Sequence, residues 1–176
     1  MTTLSVDILP EAPQDGPAVD RLHERTFGPG RFARSAYRLR EGVPADPALS
    51  FIARVGTFLV GSVRMTPILI GEHPALLLGP LTVEPAFEKR GIGAALTARA
   101  IEAATAAGHR LVLLVGDEAY YRRFGFQRVP RGRVTLPGPV DPDRVLVREC
   151  ADGAFAEVSG PADIDHAWAE IAREVS

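Results

Sequence analysis

Cysteine occurs once in these 176 residues, at Cys150, and tryptophan once, at Trp168. One thiol excludes an internal disulfide and any cysteine-built metal centre, and a reducing cytoplasm is the default expectation for such a chain. Histidine is sparse as well. His23, His73, His109 and His166 are scattered without metal-ligand spacing, so no metal is expected. Lysine is scarcer still: Lys89 is the only one. Neither sign of charge dominates, since 20 basic against 22 acidic residues leave a net charge of −2. That balance excludes the chain-wide basic field expected of a nucleic-acid or membrane-surface binder. No apolar run approaches the ~20 residues of a membrane span. The opening MTTLSVDILPE lacks the basic stretch and long apolar run of a signal peptide. A cytoplasmic protein is therefore expected. A G-x-S-x-G hydrolase turn and internal repeats are also missing.

What is present is a core. Apolar residues make up 46% of the chain, and the length suits one domain over residues 1–176. Residues 4–9 read as a strand, and a helix starts near Gly16-Pro17, with Val19, Leu22 and Thr26 on its inner face. Residues 31–40 suit a second short helix, and 41–47 a loop. Residues 49–70 form two β-rich runs around a turn near Gly56, with Pro67 marking an edge or a bulge. A further strand at 75–83 contains Gly79-Pro80, read as a break in pairing. A helix over about 91–107 stops at Gly108. RLVLLV, 110–115, is apolar throughout, as in a strand buried on both faces. A short helix at 117–124 and weaker strands near 127–136 and 144–150 follow. A tail helix over about 163–175 aligns Ile164, Ala167, Trp168, Ile171 and Val175, which reads as a docking face that buries Trp168. His23 and His166 read as ordinary, partly exposed helix residues, and Cys150 as a buried, inert thiol.

The chemistry concentrates at residues 88–96, EKRGIGAAL. A helix N-terminus presents unpaired N–H groups and the positive end of the dipole, and glycine lets a large anion approach them. Lys89 and Arg90 add charge there, so the segment suits a phosphate. A P-loop is excluded because no Gly-Lys-Ser/Thr follows four spacers. The dinucleotide pattern G-x-G-x-x-G/A has Leu96 at its third small position, although Asp117 could mimic its ribose-binding acid.

A third pattern fits the whole of LTVEPAFEKRGIGAAL: Val-x-Pro at a strand end, then Arg-Gly-x-Gly-Ala. This segment resembles the acetyl-CoA loop of the GNAT superfamily of N-acetyltransferases. GDEAYYRRFGF, 116–126, is similar to the family's later segment with tyrosine four residues before Gly-Phe, in the form of a bacterial subgroup that carries Tyr-Tyr before Arg-Phe-Gly-Phe. FIARVGTFLVGSVRMTP matches the family's central strands, and the resemblance covers about 50–130.

The resemblance implies an α/β (α+β) fold in three layers, with a mixed, mostly antiparallel sheet of about seven strands flanked by helices. It implies acetyl transfer from acetyl-CoA to an amine, small-molecule or peptide, by direct attack in a ternary complex. Residues Lys89, Arg90, Gly91, Ile92, Gly93 and Ala94 would wrap the diphosphate, and Leu81, Thr82 and Val83 would hold the pantetheine arm through their backbone. Tyr121 takes the general-acid position beside the sulfur, with Tyr120 as its adjacent alternative, since helix neighbours point about 100° apart. The general base stays open between Asp117, Glu118, Glu84, His73 and a water, because the strand before this helix carries no acid. Asp117 equally suits a helix cap.

Glu88 departs from the family's usual glutamine or arginine; a carboxylate repels a diphosphate, so Glu88 is expected to point away. The acceptor groove would be shaped by residues 28–46, including Arg31, Arg34, Arg38 and Arg40, and by 137–144. A homodimer is a family-level expectation. Two other readings stand beside the enzyme: a non-catalytic acyl-CoA-binding module and a dinucleotide-dependent oxidoreductase.

Overall fold

The computed structural model describes residues 4–28 and 35–175, so Arg31 and Arg34 lie outside the described residues. The strands are β1 (Asp7–Pro10), β2 (Phe51–Val55), β3 (Phe58–Ile70), β4 (His73–Val83), β5 (Leu111–Val115), β6 (Gln127–Arg128), β7 (Val134–Thr135), β8 (Val145–Glu149) and β9 (Gly160–Ile164). The helices are α1 (Gly16–Phe27), α2 (Ser35–Arg38), α3 (Ile92–Ala106), α4 (Glu118–Tyr121) and α5 (His166–Val175). Seven strands lie side by side in the order β1-β2-β3-β4-β5-β8-β6, and β9 joins β3 to β7 beside this path. Pairing is antiparallel except at β4–β5 and β7–β9. The sheet is thus mixed and mostly antiparallel, as the resemblance implies.

The continuous apolar reading of β5 has a direct cause. Val112 and Leu114 face one core with Leu76, Leu78 and α3, while Leu111 and Leu113 face the other with Leu77, Ile68 and Val147. Burying both faces removes the alternation that a half-exposed strand would show. α3 lies over β2, β3 and β4 and buries Ile92, Leu96, Ala100, Ile101 and Ala104. Leu96 fits over Gly61 of β3, where a Cβ would stand 3.0 Å from Leu96 Cδ1. A large residue at position 96 is therefore a packing element of this helix. α1 covers the other face of β3 and β4.

Pro67 sits where its missing N–H costs nothing: it faces Leu76 of β4, while β2 pairs with β3 only up to Val63 and β9 only from Ile68. The bulge itself lies earlier. Val63 pairs with Leu81 and Met65 with Leu78, so Arg64 alone opposes Gly79-Pro80, whose peptide bond is cis. The break expected at Gly79-Pro80 is present.

Several readings need correction. The 117–124 helix is four α-helical residues followed by a 3-10 turn at Arg122–Phe124. β9, with the sequence GPADI, was not foreseen; it buries only Ala162, so no apolar alternation announces it. The tail helix starts at His166, because Asp165 Oδ1 accepts from Trp168 N at 3.1 Å and caps it. Its apolar face does not dock as expected: Ala169 is its buried residue, while Ile171 and Val175 are 56% and 83% exposed. Trp168 is half-buried, and its indole N–H donates to the Pro44 carbonyl at 2.9 Å. Cys150 is also only half-buried, at the margin of the α3-side core. No helix of the described residues is long and apolar enough to cross a membrane.

Candidate active site

β4 and β5 are paired only at Leu76–Val112 and Leu77–Leu113. Beyond those two rungs both strands continue without bonding to each other, β4 to Val83 and β5 to Val115. The bulge at Gly79-Pro80 bends β4 just where the separation begins. A cleft of about 1000 Å³ opens there, with Leu78 to Leu81 on one wall and Leu114 to Asp117 on the other. The outer edge of β4 over residues 81–83 is bonded to β3 on one side alone, leaving main-chain groups toward the cleft. Leu81 and Val83 sit beside the start of α3, whereas Thr82 Oγ1 is buried with no partner among the described residues. Of the three, Thr82 can therefore serve a ligand only through its backbone.

The glycine loop lies at the mouth of the parting. Gly91 caps α3 in the left-handed region at φ 79°, and Lys89 shares that region at φ 61°. The first α3 bond runs from Ala95 N to Gly91 O at 3.0 Å. Among the described residues no main-chain carbonyl accepts from the N–H groups of residues 89–94. Nothing lies within 4 Å of where a Cβ on Gly91 would stand. These are the features a diphosphate needs: clustered donors, a helix N-terminus and space. Glu88 is exposed and ends the preceding 3-10 turn, donating its N–H to Pro85 O at 3.3 Å. Arg90 stacks over Phe87 at 5.4 Å.

Both tyrosines line the cleft. Their rings meet edge-on, with centroids 4.9 Å apart and planes at 88°. Tyr121 packs against the α3-side core and Phe126, and its ring lies against Gly116. Burial pushes the Tyr121 phenol up to about 12; Tyr120 adds to the rise and Arg144 opposes it. Tyr120 is more open, and burial raises its phenol against the pull of Arg123. Its hydroxyl reaches the first turn of α3, 3.2 Å from the position of a Gly93 Cβ.

The structure separates the candidate bases. Glu84 is engaged by Arg25 at 2.7 Å. Glu118 accepts from Arg122 at 3.0 Å and Arg128 at 2.7 Å, and those hydrogen bonds hold its carboxyl below the usual range. His73 opens β4 at the end remote from Val83. Asp117 lines the cleft, with Oδ1 capping α4 through Ala119 N at 3.1 Å.

The cleft is also lined by Tyr37 and Arg40 of residues 28–46 and by Asp141 and Arg144 of the late loop. Arg38 is turned to the late loop, donating to Pro137 O at 2.8 Å. Sequence reasoning missed Asp20 and His23 of α1 and Arg64 and Thr66 of β3. His23 is 7% exposed, so the partly exposed residue expected there is a buried one at the cleft wall. Arg64 is held by Glu11 at 2.6 Å and by Asp20 at 3.6 Å. No local motif could have disclosed these four, because only the packing of α1 across β3 brings them to the cleft.

Known proteins share this fold. Residues 46–128 match the family model of an acetyltransferase (GNAT) domain. The uncharacterised N-acetyltransferase YhbS of Escherichia coli K12 is 26% identical over 152 residues, 85% of this chain and 90% of YhbS. The uncharacterised N-acetyltransferase YjhQ of the same strain is 32% identical over 117 residues, 64% of this chain and 65% of YjhQ. The crystal structure of E. coli YhbS in complex with CoA superposes with a TM-score of 0.80 at 24% identity, covering 94% of this chain and 93% of that one. A GNAT family acetyltransferase of Brucella melitensis in complex with acetyl-CoA superposes with a TM-score of 0.62 at 28% identity, covering 87% and 99%. The parted strands, the glycine loop and the tyrosine pair all fall within residues 46–128, the segment that matches the acetyltransferase (GNAT) domain.

Proposed function

We propose that this protein transfers an acetyl group from acetyl-CoA to an amine, of a small molecule or a peptide, by direct attack in a ternary complex. The observation that carries the reading is the parting of β4 from β5 with the acceptor-less N–H groups of residues 89–94 at its mouth. Lys89, Arg90, Gly91, Ile92, Gly93 and Ala94 hold the diphosphate, and the backbone of Leu81, Thr82 and Val83 pairs with the pantetheine amides as an extra strand would.

In the reaction the amine nitrogen bonds to the acetyl carbon and the carbon–sulfur bond breaks. The amine gives up one proton and the thiolate takes one. Tyr121 serves the sulfur. A phenol near 12 is a weaker acid than a thiol near ~8.5, so its main contribution is a hydrogen bond to the developing thiolate. A water beside Asp117 would carry the amine proton to solvent, because Glu84 and Glu118 are committed to arginines. Melting with millimolar acetyl-CoA tests the reading, since a ligand that binds the native state must stabilise it. No shift would sink it. A screen of amines by thiol release then identifies the acceptor.

The lack of an acid on β5 favours a second reading, a non-catalytic acyl-CoA-binding module. Tight binding with no thiol release across a broad amine panel would decide for it.

A further inference from the structure

The two adjacent tyrosines have different surroundings, and that difference suggests two different tasks. Tyr120 extends from α4, on the β5 side of the parting, to α3 on the β4 side. A Cβ on Gly93 would stand 3.2 Å from its hydroxyl, 3.6 Å from Val83 Cγ2 and 4.0 Å from Leu81 Cδ2. The hydroxyl therefore bridges the cleft at the first turn of α3, beside the N–H groups that no carbonyl engages. The ring is held in place. Arg123 lies over it at 4.6 Å and donates Nε–H to the Tyr120 carbonyl at 3.0 Å, while Tyr121 meets it edge-on and Phe124 packs at 5.8 Å. The hydroxyl itself makes no hydrogen bond among the described residues. A fixed O–H beside a cluster of N–H donors adds one more donor to the same anion site.

We infer that Tyr120 is a positioning residue whose hydroxyl donates to the diphosphate of the acyl donor, while Tyr121 serves the sulfur end. This rests on the acetyl-CoA reading above. It also gives Gly93 a second reason to lack a side chain: a Cβ there would displace the phenol as well as crowd the ligand.

Tyr120→Phe keeps the ring, its stacking and its packing, and removes one oxygen. The test measures the Kd of CoA by calorimetry and the phosphorus NMR spectrum of bound CoA, for the native protein and for this variant. The expected result is a Kd weakened about tenfold, the loss typical of a hydrogen bond to a charged group. The two diphosphate resonances should move while the 3′-phosphate resonance stays. Tyr121→Phe should leave the two diphosphate resonances where they are. An unchanged Kd, or a shift confined to the 3′-phosphate, would overturn the inference, as would a weaker Kd with unmoved diphosphate signals. Failure of the native protein to bind CoA at all would instead overturn the acetyl-CoA reading, so the two failures are distinct.

Discussion

Tyr121 lies so close under Gly116 that a Cβ on the glycine would stand 2.6 Å from Tyr121 Cε2 and 3.0 Å from Leu114 Cδ1. The end of β5 and the phenol are thereby locked together. Gly116→Ala should push the ring aside and destabilise the fold by roughly 1–3 kcal/mol through overpacking. Turnover should fall while the Kd for CoA changes little, because the loop at residues 89–94 is untouched. Denaturant melts, calorimetry and steady-state rates measure the three effects, and undiminished turnover would detach Tyr121 from catalysis.

Tyr121→Phe should lower kcat by about 10- to 100-fold, the scale on which a lost donor to developing charge is felt. Its titration is a separate check. The folded phenol, pushed up to about 12, keeps its proton where an unfolded one near ~10 has lost it. Between those two values the native state binds more protons, so stability falls as pH rises from about 10 to 12 and is complete below that window. The ultraviolet phenolate band of native protein minus that of Tyr121→Phe should rise near 12. A rise near 10 would mean that the ring is not buried as described.

The pairing of Leu96 with Gly61 predicts coupled mutations. Gly61→Ala places a methyl 3.0 Å from Leu96 Cδ1 and 3.2 Å from Ile92 Cγ2. Alone it should cost about 1–3 kcal/mol, and Leu96→Ala alone about 2–5 kcal/mol by leaving a cavity. Together they should cost clearly less than the sum, since the added methyl enters the space the leucine vacates. Strict additivity in urea melts would show that the two residues do not share a site.

Glu84→Gln should leave turnover within about twofold and shift stability by less than ~1 kcal/mol, because its half-exposed pairing with Arg25 is the sort that contributes little. A hundredfold loss would restore Glu84 as the base and remove the water relay.

Much of this architecture is legible in the residues, and what is legible is local. The two-faced burial of β5 leaves its mark as an unbroken apolar run, and Gly91 and Gly125, both left-handed, mark the ends of the loop and of the tyrosine segment. The cofactor side of the candidate site is built from two such short stretches, so its elements could be read directly. The opposite wall of the cleft is legible only in part. Tyr37 and Arg144 belong to segments that the sequence could point to, but Asp20 and Arg64 join them only through the crossing of α1 over β3. Glu84 looked available as a base until Arg25, 59 positions earlier, was found against it. The tail helix misled because helical spacing of apolar residues records periodicity and says nothing of whether a surface waits to receive them.

The contact between Trp168 and the Pro44 carbonyl has a practical consequence. Trp168 is the only indole in the chain, so its emission has a single origin. Val43 and Ala45, which flank its hydrogen-bond partner, both line the cleft. The protein thus contains an intrinsic optical reporter beside the cleft, and changes in its fluorescence can follow occupancy there without any label.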